Sequence, residues 1–318
     1  MLRIVAQEWH DQLTLTRRLT TPGERNAFYA SVHTGEFVRV SRGAYVPREL
    51  WNEASAEGRY RLKVNAAAAL SRDDPLFSHH SAAVLWRLPL VGSWPTRVHA
   101  LGPESQAGLS NRHIIRHAES LPDVIEEIDG LRVTGLARTV VDMATACSFP
   151  SAVAIADAAL RRADHPTGDL PGTPISRDDL VRNARRLALR HSTAKVRKVI
   201  EFADGAADRP GESISRVNMH VAGISPPQLQ APLRGASGKQ YWVDFWWPKF
   251  KVIGEFDGKG KYQNPEFLSG RTPEQALYDE KLREDDLRDA GHGMVRWNWS
   301  AACSPRLLAD KLYRAGIR

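Results

Sequence analysis

The sequence contains little cysteine. Its 318 residues include two, Cys147 and Cys303, which are far apart and belong to no Cys-x-x-Cys pattern. This spacing excludes a disulfide framework and a cysteine-based zinc ribbon. We expect each cysteine to be packed as a small apolar side chain.

Long apolar runs are also missing. No run reaches the ~18 consecutive apolar residues of a transmembrane helix. The N-terminal stretch MLRIVAQEWH lacks the apolar core and the small-residue cleavage site of a signal peptide. We therefore expect a cytoplasmic protein that has no membrane partner.

The composition is that of a globular protein with a basic excess. Hydrophobic residues make up 42% and charged residues 25%, and a chain of this length has room for two or three domains with separate cores. The net charge of +7 favours a polyanionic partner such as DNA. Residues 1–200 hold 27 Lys/Arg against 21 Asp/Glu, and residues 201–318 hold 17 against 16, so the excess lies in the first two-thirds.

Three acids interrupt the most aromatic stretch of the chain. Residues 241–262 contain two β-branched and aromatic runs on either side of Pro248-Lys249, which predicts a β-hairpin. Asp244, Glu255 and Asp257 lie within these runs, although carboxylates are poor strand formers and cost free energy when they are buried unpaired. These acids therefore need a functional or structural explanation.

The geometry of a hairpin predicts that the three acids converge. If the turn consists of Pro248 and Lys249 alone, Asp244 lies opposite Ile253 and shares a face with Glu255 and Asp257. A carboxylate cluster of this kind is typical of a site for Mg²⁺ or Mn²⁺. Such a site would support hydrolysis of a phosphodiester.

These residues resemble a known family. An Asp, a hairpin turn and Glu-x-Asp-Gly, preceded by Glu212 in a Gly-Glu-Ser helix start, are similar to the Vsr-like branch of the PD-(D/E)XK restriction-endonuclease-like fold. The resemblance covers about residues 211–318 and implies an αβββαβα core. It also implies that Asp244 and Glu255 hold Mg²⁺ or Mn²⁺, with Glu212 or Asp257 as a further ligand.

The same resemblance assigns roles to nearby cations, with one departure. Asp257 occupies the position of the family's usual lysine. Lys259 and Lys261 follow it, and either one is expected to orient the attacking water. The segment from Asn264 to Thr272 is expected to be a loop or a lid over the substrate. Arg283 and Arg288 are expected to hold the DNA backbone.

Two other interpretations of the acids remain open. The first is a solvated edge hairpin, although the aromatic residues around the acids indicate a mostly covered sheet. The second is a nuclease fold that has kept its acids but lost turnover. The missing lysine favours this second interpretation, in which the domain serves as a scaffold or a DNA clamp.

The N-terminal residues predict a DNA-binding element. Leu13, Leu15 and Leu19 indicate a compact helical unit. Helical patterns are followed by an alternating run from Gly35 to Val46 that turns at Ser41-Arg42-Gly43, which is typical of a winged helix. In that arrangement Arg39 or Arg42 contacts phosphate.

A second resemblance concerns this N-terminal part. Three segments resemble the AbiEi-type antitoxin and transcriptional-regulator family, namely Gly35–Pro47, Ser78–Pro89 and Leu131–Ala144. The resemblance covers roughly residues 1–165 and implies a winged helix joined to an α/β domain. It also implies a nucleotidyltransferase toxin as a partner, so the alternative function is a non-catalytic regulator or antitoxin of a type IV system.

The predicted organisation is a mixed α/β, multidomain protein. Its parts are a winged helix in 1–50, an α/β domain in 51–165, a linker with basic helices in 166–210 and a nuclease-like domain in 211–318. The linker is indicated by the Pro- and Gly-rich stretch from His165 to Pro174. Helices are expected to begin at Ser176, Thr272-Pro273 and Ser304-Pro305.

Basic residues without any acid follow this linker. The stretch from Arg182 to Lys198 is either a DNA-contacting helix or a solvated face. The residues assigned to DNA are Arg185, Arg186, Arg190, Lys195, Arg197 and Lys198.

The histidines of the middle region predict no metal site. Ser78 is expected to cap a helix start, after which His79 and His80 point about 100° apart. His113 and His117 lie in a strand-like segment, where they would be far from each other. Thr139 and Asp142 are expected to be surface or capping residues.

Overall fold

The computed structural model describes residues 12–102, 110, 112–119, 122, 124–165, 170–187, 192–258 and 272–318. The chain divides into two compact units, one formed by residues 1–147 and 166–200 and the other by residues 148–165 and 201–318. The architecture is mixed α/β and multidomain, as predicted. No helix in the described ranges is long and apolar enough to cross a membrane.

The first unit begins with a small antiparallel sheet and helices. Its strands pair in the order β1-β3-β2, and the predicted hairpin is present. The elements are β1 (Thr14–Leu15), a 3-10 helix (Thr16–Arg18), α1 (Pro22–His33), β2 (Phe37–Ser41), β3 (Ala44–Pro47), α2 (Arg48–Glu53) and α3 (Ala56–Leu70).

One local expectation for this region was wrong. The leucines at 13 and 15 suggested a helical unit, but β1 pairs with β3 through Thr14–Tyr45 and Leu15–Ala44. Leu13 and Leu15 are buried in a cluster with residues of β3 and α3. Burial on the sheet therefore outweighs local helix preference here.

A five-stranded mixed sheet follows, with strand order β6-β5-β4-β8-β7. Strands β4 and β8 are parallel, as are β5 and β6. The elements are β4 (Leu76–Phe77), α4 (His79–Leu85), β5 (Val98–Gly102), β6 (Ile114–Ala118), β7 (Ile125–Ile128), β8 (Leu131–Thr134), α5 (Leu136–Ala146), α6 (Phe149–Asp164), α7 (Arg177–Arg186) and α8 (Thr193–Phe202).

The two-unit division differs from the predicted domain boundaries. Helix α6 belongs to the second unit, and residues 166–200 belong to the first. Helix α7 begins at a capping box formed by Ser176 and Asp179 and packs its buried Leu180 toward α5. The stretch predicted to be a linker therefore leads into a helix of the first unit's core.

The second unit contains the predicted αβββαβα order. Its four-stranded sheet has the order β12-β11-β10-β9, and β12 runs parallel to β11. The elements that follow α6 in this unit are α9 (Pro210–Val221), β9 (Gln228–Arg234), β10 (Gln240–Trp247), β11 (Val252–Asp257), α10 (Pro273–Asp289), β12 (Gly293–Asn298), α11 (Trp299–Ala302) and α12 (Pro305–Arg314).

Apolar side chains cover both faces of this sheet. Phe245, Trp247 and Trp297 pack into one cluster, and Trp246 and Leu287 belong to another. Because both faces are covered, the acids of β10 and β11 do not lie on a solvated edge hairpin.

The hairpin turn between β10 and β11 is longer than predicted. Trp247 pairs with Val252, so the turn contains four residues and Asp244 is not opposite Ile253. Lys251 adopts a left-handed backbone with φ of +51°, and its N–H donates to the carbonyl of Pro248. The register moves by two residues, which preserves the alternation of faces along each strand.

Candidate active site

Three acids from three elements converge in the second unit. Glu212 lies in the first turn of α9, Asp244 on β10 and Glu255 on β11. Glu212 and Glu255 are almost completely buried, and Asp244 is half-buried. The structure therefore brings together three of the four acids that the sequence singled out.

Asp244 lies where the strand pairing ends. The last residue pair between β10 and β11 is Phe245–Gly254. Beyond it, the N–H of Phe256 donates to Oδ2 of Asp244 at 2.9 Å. A side-chain carboxylate thus takes up a backbone donor near the point where the two strands part.

A glutamine connects two of the acids. Nε2 of Gln230 donates to Oε2 of Glu212 at 3.1 Å and lies 3.5 Å from Oδ1 of Asp244. The same Glu212 oxygen accepts the N–H of Asp208 at 2.9 Å. These contacts hold the Glu212 carboxylate against Gln230 of β9, which also contacts Asp244 of β10.

The electrostatics of the cluster are those of crowded, buried carboxyls. Burial and then the negative charge of Asp244 raise the pKa of Glu212 to about 8. The same two causes, in the same order, raise the pKa of Glu255 to about 7, although Arg283 opposes them. Carboxyl groups that lie close together in a poorly hydrated environment favour the protonated form. A cation bound among them would instead stabilise the charged form.

Arg283 of α10 lies against this cluster. Its NH2 donates to Oε1 of Glu255 at 2.9 Å and to the carbonyl of Trp242 at 2.7 Å. Its NH1 donates to Oε1 of Glu280 at 3.1 Å, and Glu280 also binds Arg296 at 2.7 Å. Arg283 was predicted to contact the DNA backbone, and in this structure it binds Glu255, one of the predicted catalytic residues.

The remaining predicted residues of this site are less well connected to it. Asp257 is half-buried at the end of β11, next to Asn298 of β12 in the register, and after Glu280 and Glu284 its charge also raises the pKa of Arg296. Arg288 pairs with Glu284 on α10 at 2.7 Å. Lys259 and Lys261 lie outside the described residues, as does most of the segment from Asn264 to Thr272 that was expected to form a lid.

Most of the residues predicted to contact DNA are exposed in the first unit. The exposed ones are Arg39, Arg42, Arg185, Arg186, Arg197 and Lys198. Lys195 differs, because its Nζ donates to the carbonyl of Thr145 at 2.9 Å near the end of α5. Arg190 lies outside the described residues.

The sequence interpretation missed a polar cluster in the first unit. The rings of His79 and His117 stack at 3.8 Å, and Nδ1 of His99 lies 2.9 Å from Nε2 of His117. Nε2 of His79 lies 3.9 Å from Oε1 of Glu119. His113, by contrast, lies 3.3 Å from the hydroxyl of Ser41 and does not pair with His117 in the described contacts.

Arg138 and Asp142 of α5 belong to the same cluster. Nε of Arg138 donates to Oδ1 of Asp142 at 2.7 Å, and its NH2 donates to Oε2 of Glu119. Burial raises the pKa of Asp142 to about 7 and lowers the pKa of His99 to about 3. Burial, followed by the electrostatic influence of His117, His99 and Arg138, also lowers the pKa of His79 well below its usual range.

Two expectations about α5 and α4 were therefore wrong. Thr139 and Asp142 are buried rather than on the surface, since α5 is covered along most of its length. Oγ1 of Thr139 lies 3.0 Å from the carbonyls of both Thr134 and Gly135. Ser78 occupies the N-cap position of α4, but its hydroxyl contacts Nδ1 of His79 at 3.1 Å and makes no capping hydrogen bond.

Comparison with known proteins leaves the family of this chain open. No family model and no solved structure match it. Two curated relatives that match are "Uncharacterized protein MT2308" of Mycobacterium tuberculosis strain CDC 1551 / Oshkosh and "Uncharacterized protein Rv2248" of Mycobacterium tuberculosis strain ATCC 25618 / H37Rv. Each is 29% identical over 171 residues, which make up 54% of this chain and 56% of the relative. The chain thus spans about half the length of the curated relatives it matches, and their names state no activity.

Proposed function

We propose that the second unit is a divalent-metal-dependent endonuclease that hydrolyses DNA phosphodiester bonds. The observation that carries this proposal is the convergence of Glu212, Asp244 and Glu255 where β10 and β11 part. The αβββαβα order supports it, because it is the order that the Vsr-like resemblance implies. DNA as the substrate also suits the net charge of +7.

The donor set suits Mg²⁺ or Mn²⁺. Both ions prefer oxygen ligands, and Mg²⁺ is commonly held by one or two carboxylates together with water and substrate phosphate. The ligand atoms of Glu212, Asp244 and Glu255 do not all lie within 4.8 Å of one another. We therefore assign Asp244 and Glu255 as the pair that holds the ion together with water, with Glu212 or Asp257 as an additional ligand.

The remaining groups have supporting roles. Glu212 or Asp257 completes the ligand set, and Arg283 orients the carboxylate of Glu255 through the contact at 2.9 Å. When bound, the ion would supply polarisation of the phosphodiester and a water of lowered pKa. Lys259 or Lys261 orients the attacking water or stabilises charge on the phosphate.

We assign DNA binding to the exposed cations of the first unit and a cytoplasmic location to the protein. Arg39 and Arg42 lie on the β2–β3 hairpin, where a wing would contact phosphate. Further exposed cations add an electrostatic contribution to DNA affinity that does not depend on the DNA sequence. They are Arg185, Arg186, Arg197 and Lys198. This assignment rests on the winged-helix resemblance and on exposure.

A second candidate function is a regulator or antitoxin without turnover. The ion pair between Arg283 and Glu255 favours it, because that arginine already neutralises one of the acids that would hold the metal. Asp257 in place of the usual lysine favours it further. In that case the partner would be a nucleotidyltransferase toxin, and the second unit would clamp DNA without cutting it.

One assay separates the two functions. Purified protein is incubated with supercoiled, linear, mismatched and single-stranded DNA, in Mg²⁺, Mn²⁺ or EDTA, alongside Glu255→Gln and the matched surface variant Asp310→Asn. We expect metal-dependent cutting by the wild type and by Asp310→Asn, and none by Glu255→Gln. Salt-sensitive DNA binding by all three proteins without cutting would instead establish the regulator.

A further inference from the structure

We propose that His79, His117 and Glu119 form a binding site for a transition-metal ion of the zinc class in the first unit. Among the described residues, this is the group of three whose ligand atoms already lie within 4.8 Å of one another. The site is separate from the carboxylate cluster of the second unit. It therefore does not depend on the proposed nuclease.

The backbone places these three residues together at a structural cost. His79 begins α4 directly after β4 and adopts φ of +49°, a left-handed conformation that is strained for a residue with a Cβ. His117 lies on β6, and Glu119 follows the end of that strand. Strain of this kind is often found at functional sites, where the surrounding structure holds it in place.

Neighbouring side chains hold the histidines in position. Nδ1 of His79 contacts the hydroxyl of Ser78 at 3.1 Å, and Nε2 of the same ring lies 3.9 Å from Oε1 of Glu119. His99 contacts His117 at 2.9 Å. Metal-binding histidines usually use their second nitrogen for such a contact, which fixes the ring and its tautomer.

Glu119 is held in a similar way. Arg138 binds its Oε2, while Oε1 is the oxygen that faces His79. Arg138 is fixed in turn by Asp142 at 2.7 Å. One oxygen of Glu119 thus remains directed toward the histidine rings.

The donor set selects the kind of metal. Two imidazoles and one carboxylate are the protein ligands of one type of catalytic zinc site, which keeps a fourth position for water or substrate. Imidazole suits zinc, copper, iron and nickel, whereas Mg²⁺ prefers oxygen ligands. Ligand atoms around a tetrahedral zinc are about 3.4 Å apart. Nε2 of His79 and Oε1 of Glu119 lie 3.9 Å apart, so these two atoms would need to move only slightly closer together.

The test is metal binding by the full chain without a polyhistidine tag. Chelator-treated protein is titrated with Zn²⁺ in excess Mg²⁺, the bound metal is counted by mass spectrometry, and Co²⁺ is used as a visible-absorption probe. We expect one tightly held equivalent of zinc. His117→Ala should weaken it by more than about 100-fold, because even a residue that only supports a ligand contributes about 10–100-fold.

Two controls separate this result from misfolding and from surface binding. His33→Ala removes an exposed histidine on α1 and should leave zinc binding unchanged. Glu119→Gln alters the ligand whose side chain is 37% exposed and keeps an oxygen that can accept from Arg138, so the variant should stay folded while losing zinc affinity. The double variant His79→Ala/His117→Ala should bind no zinc.

The outcomes are distinct from those of the nuclease assay. Glu255→Gln should retain its zinc, because Glu255 belongs to the other unit. If the wild type retains no zinc, or if Glu119→Gln and the double histidine variant both retain a full equivalent, the proposal is wrong. A wild type that cuts DNA with Mg²⁺ but takes up no zinc would overturn this site and leave the proposed nuclease intact.

Discussion

Asp157 is a buried acid in the second unit that lies outside both candidate sites. Its side chain is 1% exposed. It lies 3.4 Å from NH2 of Arg216, and the N–H of Asp204 donates to its Oδ1 at 2.6 Å. Burial raises its pKa to about 6, although Arg216 and the N–H of Asp204 oppose the shift. A group of this kind makes stability depend on pH.

Asp157 should make the protein less stable as the pH rises from about 4 to 6. In that window the native carboxyl keeps a proton that the unfolded chain has lost, so the native state binds more protons and the free energy of unfolding falls. From the pKa of about 6 against the usual 3.8, the loss is about 3 kcal/mol when complete near pH 7. Asp157→Asn should remove this contribution, which denaturant unfolding at several pH values would measure.

Comparison with a surface variant isolates this effect. Asp310→Asn removes an exposed acid from α12 and should keep the wild-type pH profile. Glu212 and Glu255, whose pKa values are also raised, are present in all three proteins. Their contributions to the pH dependence therefore cancel when the profiles are subtracted. An Asp157→Asn profile as steep as that of the wild type would show that Asp157 stays ionised in the native state.

At the scale of elements, the approach of α9 to β11 depends on a glycine. A Cβ at Gly211 would lie 2.1 Å from Cε1 of Phe256, a ring that is buried in the core. The absence of that atom lets the first turn of α9 lie directly on β11. Glu212, the next residue, is thereby carried to Asp244.

Gly211→Ala should therefore destabilise the second unit and weaken cleavage. Overpacking a core typically costs about 1–3 kcal/mol, and any retreat of α9 would move Glu212 away from the other acids. Gly23→Ala on α1 is the matched control, because nothing lies within 4 Å of its added Cβ and the change should be neutral or slightly stabilising. Chemical unfolding together with the DNA cleavage assay would check both effects, and a Gly211→Ala protein of wild-type stability would contradict the packing argument.

The turn between β10 and β11 provides a second element-scale prediction. Lys251 is left-handed there, a conformation that glycine adopts without the Cβ clash. Lys251→Gly should stabilise the protein by up to about 1 kcal/mol, seen as a higher denaturant midpoint. Lys249→Gly removes the same charge from a turn position without positive φ and should instead destabilise it. A lower midpoint for both variants would refute the strain argument.

The sequence was informative about elements and less so about what they bring together. Capping signals such as Ser176, Thr272 and Ser304 predicted helix starts that the structure contains, because these interactions are local. The register of the β10–β11 hairpin was wrong because a single left-handed lysine leaves no sequence signal as clear as Asn-Gly. The histidine cluster was missed because His79 and His117 come from separate elements, and local spacing contains no information on such a contact.

Arg283 illustrates the same limit within the carboxylate cluster. It lies on a helix that carries many charges of both signs, and its pattern does not distinguish a DNA contact from an ion pair with Glu255. The convergence of Asp244 and Glu255, in contrast, was predicted because these two acids lie on adjacent strands of one hairpin. Because the register was wrong by two residues, each acid still lies on the face of the sheet that was predicted for it.

At the scale of the whole molecule, the basic excess and the carboxylate cluster lie in different parts of the chain. Residues 1–200 carry the basic excess of 27 against 21, while the acids of the candidate active site lie in the nearly balanced remainder of the chain. The proposed DNA binding and the proposed Mg²⁺ binding by the carboxylates should therefore respond to different variants. Arg39 and Arg42 are suitable for testing binding, because both are exposed on or beside the β2–β3 hairpin.

Arg39→Ala/Arg42→Ala should weaken duplex binding and make it less sensitive to salt. Each phosphate contact contributes about 0.9 to the slope of log affinity against log salt, so losing two contacts should reduce the slope by about 1.8. Arg306→Ala/Arg314→Ala removes the same charge from exposed positions of α12 and should leave the slope close to that of the wild type. Fluorescence anisotropy over a series of salt concentrations measures both slopes. Equal losses for the two variants would mean that net charge alone drives binding, whereas a loss confined to the hairpin variant would place phosphate contacts on the wing.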